Sequence, residues 1–183
     1  MEIKASAFNG DFTSIATEAL VVFVFESKNS QPNEGENLSP YGFPGENISD
    51  SDFGTIDIAM EGTITKLVNA KEITGKRSEI TIIHTLGIMS SDRIIVVGLG
   101  KEDHVTSEVL RRVMASVCRR LRAINVANIS VYPGAINSHK LAFGDEAAVD
   151  NFLQDIAEGA MLGMYKFTKH FSKEDKNEER NTI

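Results

Sequence analysis

Apolar and polar residues alternate over residues 2–8, where Ile3, Ala5 and Ala7 oppose Glu2, Lys4 and Ser6. This period of two predicts a half-buried strand, and Asn9-Gly10-Asp11 supplies turn chemistry after it. Residues 19–25 (ALVVFVF) are continuously apolar, β-branched and aromatic, as in a strand covered on both faces. Residues 27–54 have no period. They hold three of the four prolines and five acids against one Lys, which predicts a long exposed loop, with a lid or binding loop as its functional alternative. Ile56, Ala59, Met60, Ile64, Leu67 and Val68 then fall at helical spacing and predict one helix over 56–68, weakened by Gly62 and the threonines. Residues 78–85 and 92–97 read as strands, and their short connection makes them antiparallel neighbours.

The second of these strands runs into Gly98-Leu99-Gly100-Lys101. Thr106 or Ser107 caps a long helix reaching about Ile124, and residues 128–132 form another strand ended by Pro133-Gly134. Strand, helix and strand in that order predict a right-handed parallel crossover. A last helix runs from about Asp145 to Met164, and the charged, aperiodic tail 172–183 is a linker or a frayed end. The whole predicts an α/β fold with a mixed sheet of five to six strands and helices on both faces.

On the long helix, a step of about 100° per residue gathers Val109, Leu110, Val113, Met114, Val117, Cys118, Leu121 and Ile124 on one face. The opposite face carries Arg111, Arg112, Arg119 and Arg122, with Arg120 near its border. Three readings stay open for this stripe. It is a solvated face with some carboxylate pairing, a contact surface for another domain or subunit, or a phosphate or nucleic-acid contact. No aromatics interleave with the arginines, so single-strand stacking has no platform. Cys118 reads as a small buried hydrophobe. Near the end, Gly159, Ala160 and Gly163 share a face and allow close packing against a strand or helix. Met161, Leu162 and Phe167 add apolar bulk to that packed domain end.

Composition narrows the chemistry. The 183 residues carry a net charge of −7, which argues against general nucleic-acid or membrane affinity. The longest apolar run is too short to span a bilayer, which takes about 20 residues. No secretory leader pattern opens the chain, and a single cysteine suits a reduced, cytoplasmic setting. His84, His104, His139 and His170 stand at no metal-ligand spacing; His84 reads as a structural histidine within a strand. There is no nucleophile elbow and no phosphate loop of the G-x-x-x-x-G-K-[ST] type. Asp103 stands where G-x-G-x-x-G needs its third glycine, so Gly98 and Gly100 read as a tight exit from the strand.

Three segments nevertheless carry a resemblance. Residues 92–101 (DRIIVVGLGK) with residues 106–112 (TSEVLRR) resemble the V-G-L-G-K plus T-x-E-x-L-R segment of leucyl aminopeptidases, also called cytosol aminopeptidases. Upstream, Glu72-Ile-Thr-Gly-Lys76 is similar to that family's F-x-G-K-x-G-E stretch. Downstream, residues 157–167 (AEGAMLGMYKF) resemble its E-G-x-x-L-G-x-Y-x-F signature. Order and spacing agree across roughly residues 1–171.

The resemblance implies the family's amino-terminal domain, an α/β domain with a macro-domain-like fold, over 1–171, with 172–183 as a linker toward a catalytic domain. That second domain carries the family's metal ligands, its catalytic Lys and Arg and the N-T-D-[AG]-E-G-R-L motif, none of which is found here. No catalytic or metal residue is therefore carried over, and no hydrolysis is expected of this chain alone. The resemblance further implies a cytoplasmic hexameric parent with two divalent ions, Mn²⁺ or Zn²⁺, releasing amino-terminal residues from peptides with metal-activated water. The domain's expected partners are its own catalytic domain and neighbouring subunits; its expected work is assembly and active-site access. Two alternatives stand beside this: a free-standing macro-type module for ADP-ribose or a related nucleotide, and a DNA-contacting accessory domain working through Arg111, Arg112, Arg119 and Arg122.

Overall fold

The computed structural model describes residues 12–26, 52–132 and 147–165. The predicted strand over 2–8, most of the 27–54 loop, Pro133-Gly134, His139, His170, Phe167 and the 172–183 tail lie outside them.

The unbroken apolar run forms β1 (Ala19–Val24), and all six of its residues are buried. Successive side chains of a strand point to opposite faces, so both faces of the sheet are covered at β1. The sheet order is β2–β3–β1–β4, with β2 spanning Ile80–His84, β3 Arg93–Gly98 and β4 Ile129–Tyr132. β1 runs parallel to β3, with Leu20 opposite Ile94, and parallel to β4, with Leu20 opposite Ser130. β2 is antiparallel to β3, with Ile82 opposite Ile95, as the short connection predicted. The described sheet thus has four strands rather than five to six. Glu18, just before β1, fastens the start of β4: its carboxylate accepts the N–H groups of Ala127 and Asn128 at 2.5 and 3.1 Å. Those two bonds hold its carboxyl below the ordinary carboxylate range. His84 is exposed at the end of β2, so it fills no interior role.

Two short helices replace the single helix expected over 56–68: α1 (Asp52–Ala59) and α2 (Thr63–Asn69). The break has a backbone cause. Glu61 and Gly62 both adopt left-handed conformations, with φ of 55° and 72°, which a helix cannot contain. The last three residues of the expected loop, 52–54, belong to α1. Gly62 leaves α2 without a side-chain cap, and Asp57 of α1 substitutes for one. Its buried carboxylate accepts the Ile64 and Thr65 N–H groups at 2.8 and 3.1 Å and the Thr65 hydroxyl at 2.5 Å. A helix start leaves such N–H groups unpaired, and Asp57 satisfies two of them from outside the helix.

α3 (Ser107–Ala123) begins where the capping reading placed it, with the Thr106 hydroxyl accepting the Val109 N–H. It buries the predicted apolar face except Ile124, which caps the helix end and is partly exposed. α4 (Ala147–Met164) makes its main contact with α3, and its Phe152 ring meets Phe23 of β1 edge-on at 6.2 Å.

Candidate functional site

The four arginines of the α3 stripe divide into two pairs. Ala115 lies within the arginine arc yet is buried, because α4 packs on that side of α3. Gly159 and Gly163 permit the approach. A methyl group on Gly159 would stand 2.6 Å from the Arg111 carbonyl oxygen, and one on Gly163 would stand 2.5 Å from that of Ala115. Arg111 is held by α4: its guanidinium reaches the Asp155 carboxylate at 2.5 Å and Glu158 at 3.1 Å, with the Asp155 side chain only 7% exposed. Arg122 donates to the carbonyls of Gly163 and Met164 at 3.3 and 3.1 Å, where a helix end presents unpaired acceptors and negative dipole. Arg112 and Arg119 point to solvent. Arg112 pairs with Glu108 one turn earlier at 2.7 Å, and Arg119 donates to the Ser116 hydroxyl.

Behind this interface, Cys118 is buried. Burial pushes its thiol up to about 11, against the opposing pull of Arg119 and Arg122. A neutral, enclosed thiol is neither nucleophile nor ligand. Among the described residues no three His, Cys, Asp or Glu side chains gather as a metal site would require, so these residues do not fit a metal centre. No described helix is long and apolar enough to cross a membrane.

In open α/β sheets, ligands take the crevice beyond the carboxyl ends of parallel strands, where connections diverge in opposite directions. Here β1 leads toward β2 and β3 on one side, and β3 leads through α3 to β4 on the other. Past the ends of β1 and β3 the backbone pairing continues among the described residues. Leu99 N–H donates to the Val24 carbonyl, Glu26 N–H to Gly100 and Gly100 N–H to Gly75, each at 2.9 Å. Methyl groups on Gly75 or Gly98 would overlap the carbonyls of Phe25 and Lys76 respectively. Gly98 and Gly100 do serve the tight exit the sequence suggested; Gly100 has a φ of 81°.

The outer side of α4 follows a different rule. From Gly159 to Met164 the helix carries no charged side chain, and Met161 and Leu162 are 52% and 63% exposed. Leu153 precedes them and Tyr165 follows them on the surface. The expectation that Met161 and Leu162 pack into the domain end is therefore corrected. Over its last two turns α4 meets α3 through Gly159 and Gly163, and Met161 and Leu162 turn outward.

Known proteins place these features together. Residues 21–174 match the amino-terminal domain model of the cytosol aminopeptidase family. A probable cytosol aminopeptidase of Geobacter sulfurreducens is 37% identical over 120 residues, covering 66% of this chain and 22% of that protein. A probable cytosol aminopeptidase of Alkaliphilus metalliredigens is 32% identical over 126 residues, covering 69% of this chain and 24% of that protein. A solved tomato leucine aminopeptidase mutant shares the fold at a TM-score of 0.60 and 16% identity, over 93% of this chain and 29% of that one. The chain thus spans about a quarter of the length of the curated relatives it matches, and it belongs to the cytosol aminopeptidase family, whose amino-terminal domain it matches.

Proposed function

We propose that this chain is the non-catalytic amino-terminal domain of a cytoplasmic leucyl aminopeptidase, and that its work is to hold the catalytic portion and neighbouring subunits together and shape access to their active sites. The whole protein would be a hexameric exopeptidase with two divalent ions, Mn²⁺ or Zn²⁺, in its catalytic domain. Residues 1–171 form the domain and 172–183 lead toward that catalytic portion. The observation that carries the reading is the outer side of α4. A helix segment without charges on any side suits a position between two layers; α3 covers one side, and Met161, Leu162 and Tyr165 stand exposed on the other, which supports a partner there. Leucine-amide hydrolysis tests the non-catalytic half of the reading. The 183-residue chain supplied with Mn²⁺ or Zn²⁺ should show background turnover only; turnover above background would overturn it.

A second reading keeps the arginine face of α3 as a phosphate or DNA contact. The exposure of Arg112 and Arg119 favours it; Arg111 and Arg122 are committed to α4. Such binding should weaken steeply as salt rises, and a gel shift absent at low salt would remove it.

A further inference from the structure

One carboxylate sits near the carboxyl ends of the parallel strands. Glu79 lies in the turn before β2, and its side chain reaches back across that turn. One of its oxygens accepts the successive N–H groups of Thr74 and Gly75 at 2.8 and 2.7 Å; the other accepts the Thr74 hydroxyl at 3.0 Å. Successive N–H groups converging on one oxygen, with Gly75 in the left-handed region at a φ of 73°, form a concave anion cradle. The cradle adjoins the ends of the parallel strands: Gly75 accepts from Gly100, and the Glu79 carbonyl accepts from Gly98. Lys76, Arg77 and Lys101 are exposed on the same loops, alongside the acids Glu72 and Asp103.

We infer that the Thr74–Gly75 turn is an oxyanion site occupied by the chain's own Glu79, and that this built-in ligand keeps the carboxyl-end crevice from taking an external phosphate or carboxylate. Three donors aimed at one small acceptor group are what a free oxyanion needs; here the carboxylate is tethered and therefore always present. The tether gives Glu79 a high effective concentration at the site, so the unaltered protein ignores phosphate while a protein lacking the side chain accepts it. Ser78, which stands where the family stretch F-x-G-K-x-G-E has its second glycine, holds a left-handed φ of 65°. Ser78→Gly relieves that conformation without touching the donors, and it offers a sturdier background in which to remove Glu79.

The test is an amide-resolved NMR titration of the full chain with inorganic phosphate, and separately with acetate, at constant ionic strength. It compares Ser78→Gly with Ser78→Gly/Glu79→Ala. The Thr74 and Gly75 amides of the double variant should shift saturably with either anion, while those of the single variant respond at least about tenfold more weakly. The double variant's melting temperature should also rise with phosphate, as mass action requires of a ligand that binds only the folded state. Two amides that stay still up to ~100 mM of both anions would overturn the inference. So would a double variant that remains unfolded in their presence, or one that responds equally to chloride.

Discussion

The two sides of α4 follow opposite rules. The side toward α3 spends two glycines to bring backbones together, and it meets every charge with a partner: Arg111 with Asp155 and Glu158, Arg122 with the terminal carbonyls. The side away from α3 has no charge after Glu158 and leaves Met161, Leu162 and Tyr165 uncovered. One sequence stretch thus supplies a packed interface and, opposite it, an exposed apolar side. The packed side joins α3 to α4, and the exposed side is the one to which the proposed function assigns docking.

Breaking the packed side should cost most. Asp155→Ala removes the buried partner of Arg111 and leaves that partly exposed guanidinium to Glu158 alone, and the loss of such a charge-assisted bond costs about 3 kcal/mol at most. Urea unfolding of the variant against the parent chain measures it. A loss below about 1 kcal/mol would mean that Glu158 alone satisfies Arg111 and that the pair is a surface contact.

A smaller effect appears only in alkali. The Cys118 thiol is raised from 9.0 to about 11 in the fold. Between those values the unfolded chain has released the proton that the folded chain still holds, so stability falls as pH rises through that window. The loss amounts to about 2 kcal/mol. Cys118→Ala should remove this part of the alkaline slope while leaving the slope below pH 9 unchanged, as read from melting temperatures across the range. An identical slope in both proteins would place the thiol in a solvated setting.

Much of this was legible in the chain before any coordinates. The run at 19–25 announced a doubly covered strand, the helical wheel of α3 separated core from arginines, and the small residues of α4 announced a close contact. What local pattern could not show was the partner of each face. The arginine arc of α3 looked continuous because a wheel treats neighbouring helices as absent; only Ala115, small and apolar inside the arc, hinted that something packs there. Met161 and Leu162 looked like core because apolar residues without charges between them usually are. The break between α1 and α2 hid in Glu61, whose left-handed backbone no propensity predicts, and in Asp57, whose capping role depends on the chain turning back on itself. Glu79 bears on the crevice through bonds to a turn four and five residues earlier, which periodicity does not report.

The smallest expected change in stability bears on the central claim. Met161→Glu/Leu162→Glu alters only exposed positions and should leave the isolated chain within about 0.5 kcal/mol of its parent. The decisive measurement grafts residues 1–171 in place of the matching portion of the Geobacter sulfurreducens relative, with and without those two substitutions, and follows assembled mass together with leucine-amide turnover. The account predicts that the unsubstituted chimera assembles and turns over substrate, while the doubly substituted one loses assembly. A doubly substituted chimera that assembles and turns over as the parent does would contradict the claim that the outer side of α4 is the domain's docking surface.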